Sequence, residues 1–387
     1  MKEQVSIVGV EMTPMNRRDL EPQDMAVEAA RGALADAGLS PADVGLVIVG
    51  NAMGGRLSDQ GCIRGQTWLR ALDLRSAGVI NVDNSCAGGS SALHVGVMAA
   101  LAGESPILVV GVEKMWVGDR AATLLGIADA LPADERRVFA EELGGRSIFM
   151  EQNANWVRHQ LSERGTTTDE IAATVVKSRH MGALNPRAQL QSEVTADDVL
   201  TSGPVSGALT RLMCSSFTDG AAAAVLVSGS APHTPRVLAS TVRSGSGELA
   251  YHDRLRKVAD EAWKAAGVGL EDIDVIEVHD ATSAEELYAI ESLGFFEPGE
   301  AGPATMAGAT SPGGSSVCVN PSGGLVARGH PLGATGLCQV FEIVQQLRGR
   351  SGPRQVDGAR IGATVNTGGI ISGDAALASV HVIACDP

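Results

Sequence analysis

Apolar and polar positions alternate along the chain in a pattern that occurs twice. AVEAARGALADAGLSPADVGLVIVGN (26–51) puts its apolar residues on one helical face, breaks at a glycine and ends in a continuous apolar run. That order predicts an amphipathic helix followed by a buried strand. VADEAWKAAGVGLEDIDVIEVHD (258–280) reads the same way, and Gly38/Gly267, Asp43/Asp272 and Val49/Val278 pair at a constant offset of 229. A second pair follows: CAGGSSALHVGVMAAL (86–101) and HPLGATGLCQVFEIVQQL (330–347) are small-residue turns opening into apolar-periodic helices. At an offset of 244, Gly89 falls on Gly333, Leu93 on Leu337 and Cys86 on His330. DGAAAAVLVSG (219–229) and SGDAALASVHV (372–382) form a third pair, read as the terminal strand of each half.

Helix–turn–strand units look alike in any α/β protein, but three pairs in one order, two with fixed offsets, point to duplication. Strands alternating with helices predict an α/β protein with two mostly parallel sheets, each flanked by helices, around a pseudo-twofold axis. The halves divide as 1–235 and 236–387. In the first half, roughly a hundred residues separate the strand ILVVGVEKM (107–115) from the terminal one. Residues 121–210 are read as an inserted loop domain covering a site between the halves, with SRHMGALNPRAQL (178–190) as loop.

Composition narrows the function. Net charge is −15 and aromatics are 3% of the chain, with no basic stripe, which argues against nucleic-acid binding. No apolar run reaches membrane-spanning length. The N-terminus enters a strand at once, without a signal-peptide pattern. Six cysteines (62, 86, 214, 318, 338 and 385) lack CxxC spacing, so neither a zinc site nor a secreted disulfide framework is expected, and a cytoplasmic location is.

Three residues carry candidate chemistry. Cys86, in NVDNSCAGGSSALH, follows the strand VINV at the start of a helix, where unpaired N–H groups stabilise a thiolate. A sharp strand-to-helix turn also projects its side chain outward. Most free cysteines are small core residues; the glycines beside this one allow close substrate approach. His330, in NPSGGLVARGHPLGATG (320–336), could take the thiol proton. His279, in EVHDATSAEE, ends a strand that points into the crevice where ligands bind, and could donate to an oxyanion. Asp280 is read as the N-cap of the following helix. Asn320 and Asn366 lie in glycine-containing loops and could orient water or a histidine.

These segments together resemble the thiolases. NSCAGGSSALHVG resembles their nucleophile segment. HDA with NPSGGLVARGHPLGATG is similar to the branch holding sterol carrier protein X-type thiolases and archaeal acetyl-CoA acetyltransferases, as are LMCSSFTDGAAAAVL (212–226) and NPRAQ (185–189). The resemblance implies a duplicated five-layered αβαβα thiolase fold, a homodimer or homotetramer, and coenzyme A thioester substrates with no permanently bound cofactor. It makes Cys86 the acyl acceptor, His330 its activator and His279 an oxyanion-hole residue, with Asn320 and Gly369 as further substrate-binding candidates. Arg179, Arg187 and Arg211 are candidate contacts for coenzyme A phosphates. Thiolases carry a second cysteine in a CxG or HDCF segment, whereas this chain reads NTGGIISGD (366–374) and HDAT (279–282), leaving Cys318 as the one stand-in. Condensation or thiolysis of acyl-CoA is therefore the leading expectation. Decarboxylative condensation or acyl transfer on a CoA or carrier-protein thioester, a retro-aldol lyase with a small OB-fold (DUF35-like) partner, and a non-catalytic subunit stay open.

Overall fold

A computed structural model describes residues 4–15, 19–75, 77–143 and 147–386. The first half contributes β1 (Val5–Met12), β2 (Leu46–Gly50), β3 (Gly78–Val82) and β4 (Ile107–Glu113). After a small hairpin, β5 (Pro204–Ser206) with β6 (Leu209–Thr210), comes β7 (Gly220–Ser228). The second half contributes β8 (Arg236–Ser244), β9 (Val275–Glu277), β10 (Cys318–Val319), β11 (Ile361–Ile371) and β12 (Asp374–Ala384).

Each half arranges its five main strands identically, as β3-β2-β4-β7-β1 and β10-β9-β11-β12-β8. β2 runs parallel to β3 and β4 and β7 antiparallel to β4 and β1, just as β9 runs parallel to β10 and β11 and β12 antiparallel to β11 and β8. The halves are continuous rather than separate: β1 and β8 pair through Val5↔Val237 and Ser6↔Arg236, making one ten-stranded mixed sheet. Two mostly parallel sheets are therefore corrected to one mixed sheet. Its antiparallel content follows from turn geometry. Ser372 and Gly373, both at positive φ, join β11 to β12 in a two-residue hairpin that no parallel pair could use.

The helices complete the layers. Pro22–Asp36 packs on β1, β4 and β7, and Tyr251–Ala266 packs on β8 and β12. Between the half-sheets lie Gly88–Leu101 and Thr335–Leu347, which pack on each other and on strands of both halves. They meet almost backbone to backbone: a Cβ on Gly336 would sit 2.1 Å from Ser90 Oγ and 2.5 Å from Ser90 N. The central apolar cluster accordingly draws on both halves, with Ile48, Leu93 and Leu226 beside Leu337, Ile343 and Ile383.

The offset of 229 holds element by element. The outer helices end before left-handed Gly38 and Gly267, and single 3-10 turns at Pro41–Asp43 and Leu270–Asp272 lead into the next strands. The offset of 244 does not hold. The 3-10 turns Ser85–Ala87 and Leu332–Ala334 precede the central helices, so the true spacing is 247. A slip of three residues is close to one helical turn, and apolar periodicity cannot distinguish the two alignments. Cys86 is thus equivalent to Gly333, and His330 stands just before the matching turn.

The insertion between β4 and β7 is mostly helical: Arg120–Ala128, Ala133–Leu143, Ile148–Glu163, Thr168–Ala183 and Ala196–Leu200 precede and flank the β5–β6 hairpin. Residues 178–183, read from sequence as loop, finish the helix that Thr167 and Glu170 begin with a capping box. No helix among the described residues is long and apolar enough to cross a membrane.

The glycine contact between the central helices gives a direct check. Gly336→Ala should cost about 1–3 kcal/mol by overpacking. Gly61→Ala, where a Cβ meets nothing within 4 Å, serves as the control. Urea denaturation midpoints of the two variants measure the difference.

Candidate active site

Cys86 is placed by a strained turn. The chain leaves β3 and passes through Ser85, a non-glycine residue at φ 52°. It then makes the single 3-10 turn holding Cys86 before the Gly88–Leu101 helix begins. Left-handed backbone at a non-glycine position is costly and marks a site that the surroundings over-determine. Behind the turn, Gly368 is required, because a Cβ there would lie 2.2 Å from Asn84 O and 2.7 Å from Ala87 N. The half-buried sulfur accepts a 3.7 Å hydrogen bond from the Ser85 hydroxyl and faces a cavity of about 690 Å³.

Two histidines meet it. One nitrogen of His279, one of His330 and Cys86 Sγ all lie within 4.8 Å of one another. The two rings stand edge to face with centroids 5.1 Å apart.

The neighbours of the two imidazoles differ. His330 Nδ1 lies 2.7 Å from Thr335 Oγ1, and that hydroxyl donates to Pro331 O at 3.0 Å. With its single proton so used, Thr335 accepts from Nδ1–H, which leaves the His330 Nε2 lone pair free. Burial, then the positive charges of His279 and Arg328, push His330 well below the usual histidine range, so it is neutral. His279 Nδ1 instead lies 3.0 Å from Glu285 Oε1. Burial alone would depress His279, but the Glu285 carboxylate and the adjacent Cys86 sulfur outweigh it and raise the ring to about 10. His279 is therefore an imidazolium, and among the described residues its Nε2 has the Cys86 sulfur as a near neighbour but no partner at full hydrogen-bond geometry.

Glu285 is itself held. Oε1 accepts from the Tyr251 hydroxyl at 3.0 Å and Oε2 from Ala281 N at 3.0 Å, while Tyr251 also hydrogen-bonds Thr367. Glu113, at the end of β4, fastens the two halves beneath the site. It accepts from Ala52 N, Met53 N and Asn51 Nδ2 on one side and from Gly333 N of the His330 loop on the other. Burial raises it to about 7 despite those bonds.

The remaining sequence candidates divide. Gly369 borders the cavity at φ 68°. Arg211 lines it, together with Arg120 from the insertion, which sequence reasoning missed. Arg179 and Arg187 do not line it: the Arg179 guanidinium donates to Ser192, while Arg187 pairs with Glu11 and covers Phe341. Asn320 is fully buried, accepting from Val278 N and donating to Glu286, so its amide is structural. Asn366 is buried and donates to Gln339. Asp280 accepts from Leu325 N and so caps the Gly324–Ala327 turn, not the helix that follows it in sequence. Cys318 lies buried in β10, away from the cavity. The second thiol on the cavity wall is Cys214, which donates to Thr210 O and which burial pushes up to about 12.

A cysteine at the mouth of a helix, flanked by two imidazoles between duplicated halves, defines a thiol-dependent acyltransferase. The family models agree: "Thiolase, N-terminal domain" matches residues 5–230 and "Thiolase C-terminal domain-like" matches 241–379. The chain belongs to the thiolase family. It is 37% identical to an acetyl-CoA acetyltransferase of Methanothermobacter thermautotrophicus over 98% of both chains. It is 33% identical to sterol carrier protein 2 of Bos taurus, over 95% of this chain and 70% of that one. Among solved structures, the Ltp2-ChsH2(DUF35) aldolase superposes with a TM-score of 0.82 at 20% identity, over 99% of this chain and 98% of that one.

The Glu285–His279 pair sets a pH dependence. A histidine raised in the folded state contributes stability fully present below its ordinary pKa of about 6.5. That contribution is lost as the pH climbs through about 10. Glu285→Gln should flatten the fall in melting temperature across this range. It should also slow alkylation of Cys86 by iodoacetamide at neutral pH by about tenfold or more, the weight of one pKa unit.

Proposed function

We propose that Cys86 accepts an acyl group from acyl-CoA and that the acyl-enzyme then exchanges it with a second thioester, making a carbon–carbon bond next to the carbonyl or, in reverse, cleaving one by thiolysis. The observation that carries this reading is the cluster of one thiol and two unlike imidazoles on the wall of a cavity of about 690 Å³. The unpartnered His279 N–H would polarise the thioester oxygen as the sulfur attacks, with the left-handed backbone at Gly369 shaping the other side of the oxyanion site. Arg120 and Arg211 are the cations placed to meet coenzyme A phosphates. The acyl group would rest against Trp156, Tyr251 and Ile370, an apolar cluster with Phe149 beside it that also lines the cavity.

Six free cysteines suit a reducing, cytoplasmic setting. The aldolase relative is named as a complex with a DUF35 protein, and a second reading follows from it: a small partner completes the site and the reaction is a retro-aldol cleavage. An intact Cys86 beside His279 and His330 favours acyl transfer, because aldol cleavage needs no acyl-accepting thiol.

Intact-mass spectrometry after incubation with acetyl-CoA tests the reading. The wild type should gain one acetyl group and Cys86→Ala none. Carbon–carbon bond formation from acetyl-CoA alone is expected, and a requirement for malonyl-CoA would move the chemistry to decarboxylation. No adduct with any acyl-CoA would favour the lyase.

A further inference from the structure

The chain has no cysteine in either segment where thiolases place their second one, and the cavity wall shows which group is left to do its work. Condensation without decarboxylation needs a base for the α-proton of the acceptor thioester. Among the described residues, six groups on the cavity wall could be considered. Cys214 donates its proton to Thr210 O, and burial holds it protonated. Tyr251 is a buried phenol hydrogen-bonded to Glu285 and Thr367, with burial and the Glu285 charge keeping it protonated. Glu285 already serves His279, Tyr251 and Ala281 N. Glu151 accepts from Ser206 on the insertion. His279 is held cationic by Glu285 and has no lone pair to offer.

We propose that His330, through its free Nε2, is the base that takes the α-proton, while the Glu285–His279 pair and not His330 serves the Cys86 sulfur. This rests on the acyl-transfer reading above and divides its labour. The His279 ring, with Glu285 on its Nδ1, lies within reach of the sulfur and is the group placed to serve it. The Thr335–Pro331 relay fixes His330 in the tautomer with Nε2 unprotonated and aimed away from the relay.

In the condensing step His330 Nε2 gains one proton from the α-carbon, and the C–H electron pair becomes the enolate. The enolate carbon attacks the Cys86 thioester, the new C–C bond forms as the C–S bond breaks, and the sulfur returns as thiolate to the His279 imidazolium. His330 then gives its proton to the coenzyme A sulfur that leaves in the next acylation, so two acyl-CoA molecules yield one 3-oxoacyl-CoA and one free coenzyme A.

Two readouts on the same protein test this: the acetyl–Cys86 adduct by intact mass, and uptake of solvent deuterium into the methyl group of acetyl-CoA. Wild type should show both. His330→Ala should keep the adduct and lose deuterium uptake by about 100-fold or more. Thr335→Val, which leaves the imidazole in place but removes its tautomer lock, should cut uptake with the adduct intact, and Cys214→Ser should change neither. The proposal is overturned by uptake persisting in His330→Ala, by uptake falling in Cys214→Ser, or by a wild type that forms the adduct without uptake. Loss of the adduct together with uptake in His330→Ala would assign that histidine to Cys86 and overturn it too. A wild type that forms no adduct sinks the acyl-transfer reading itself, a separate result.

Discussion

A buried carboxylate under one imidazole and a buried hydroxyl under the other set the chemistry of the site. Glu285 is 2% exposed and Thr335 not at all, so neither neighbour is diluted by water. In that low-dielectric setting an anion 3.0 Å from His279 Nδ1 decides the charge of the ring, while a neutral acceptor 2.7 Å from His330 Nδ1 decides only its tautomer. One sulfur thus faces a cation and a neutral lone pair together. Two cations at such separation would repel.

The rest of the fold serves that meeting. Duplication supplies two equivalent turns entering the central layer, and the backbone-to-backbone contact of their helices through Gly89, Gly333 and Gly336 brings the turns together. Glu113 reinforces the junction by accepting N–H donors from both halves. The loop carrying His330 is tied down again through Arg328, a wholly buried guanidinium paired with Glu277 at the end of β9. Removing one member of such a pair strands the other charge, so the pair fixes geometry more surely than it adds stability.

The duplicated helix–turn–strand units were legible because they rest on periodic apolar positions, and Cys86, His279 and His330, singled out for their distinctive chemistry, come together in the fold. The sequence did not carry the joining of the two half-sheets, which depends on a two-residue pairing between β1 and β8. The repeat register also escaped by one turn, since glycine-rich segments match themselves at several spacings. Asn320 looked available because its loop is glycine-rich, yet its amide is spent on Val278 and Glu286. Glu285, Tyr251, Thr335 and Glu113 were missed for a related reason. Each sits on an ordinary helix or strand and gains its role only from what folding places against it. The signal for Glu285 was faint but present: an acid six residues after His279, in the first turn of the next helix.

The central claim is that the two histidines at Cys86 differ in charge, and nitrogen NMR of the ¹⁵N-histidine-labelled protein tests it most directly. Assigned with His279→Gln and His330→Gln, the spectrum near neutral pH should show His279 with both nitrogens protonated and His330 with a proton on Nδ1 alone. Two neutral rings, or a protonated Nε2 on His330, would contradict the account.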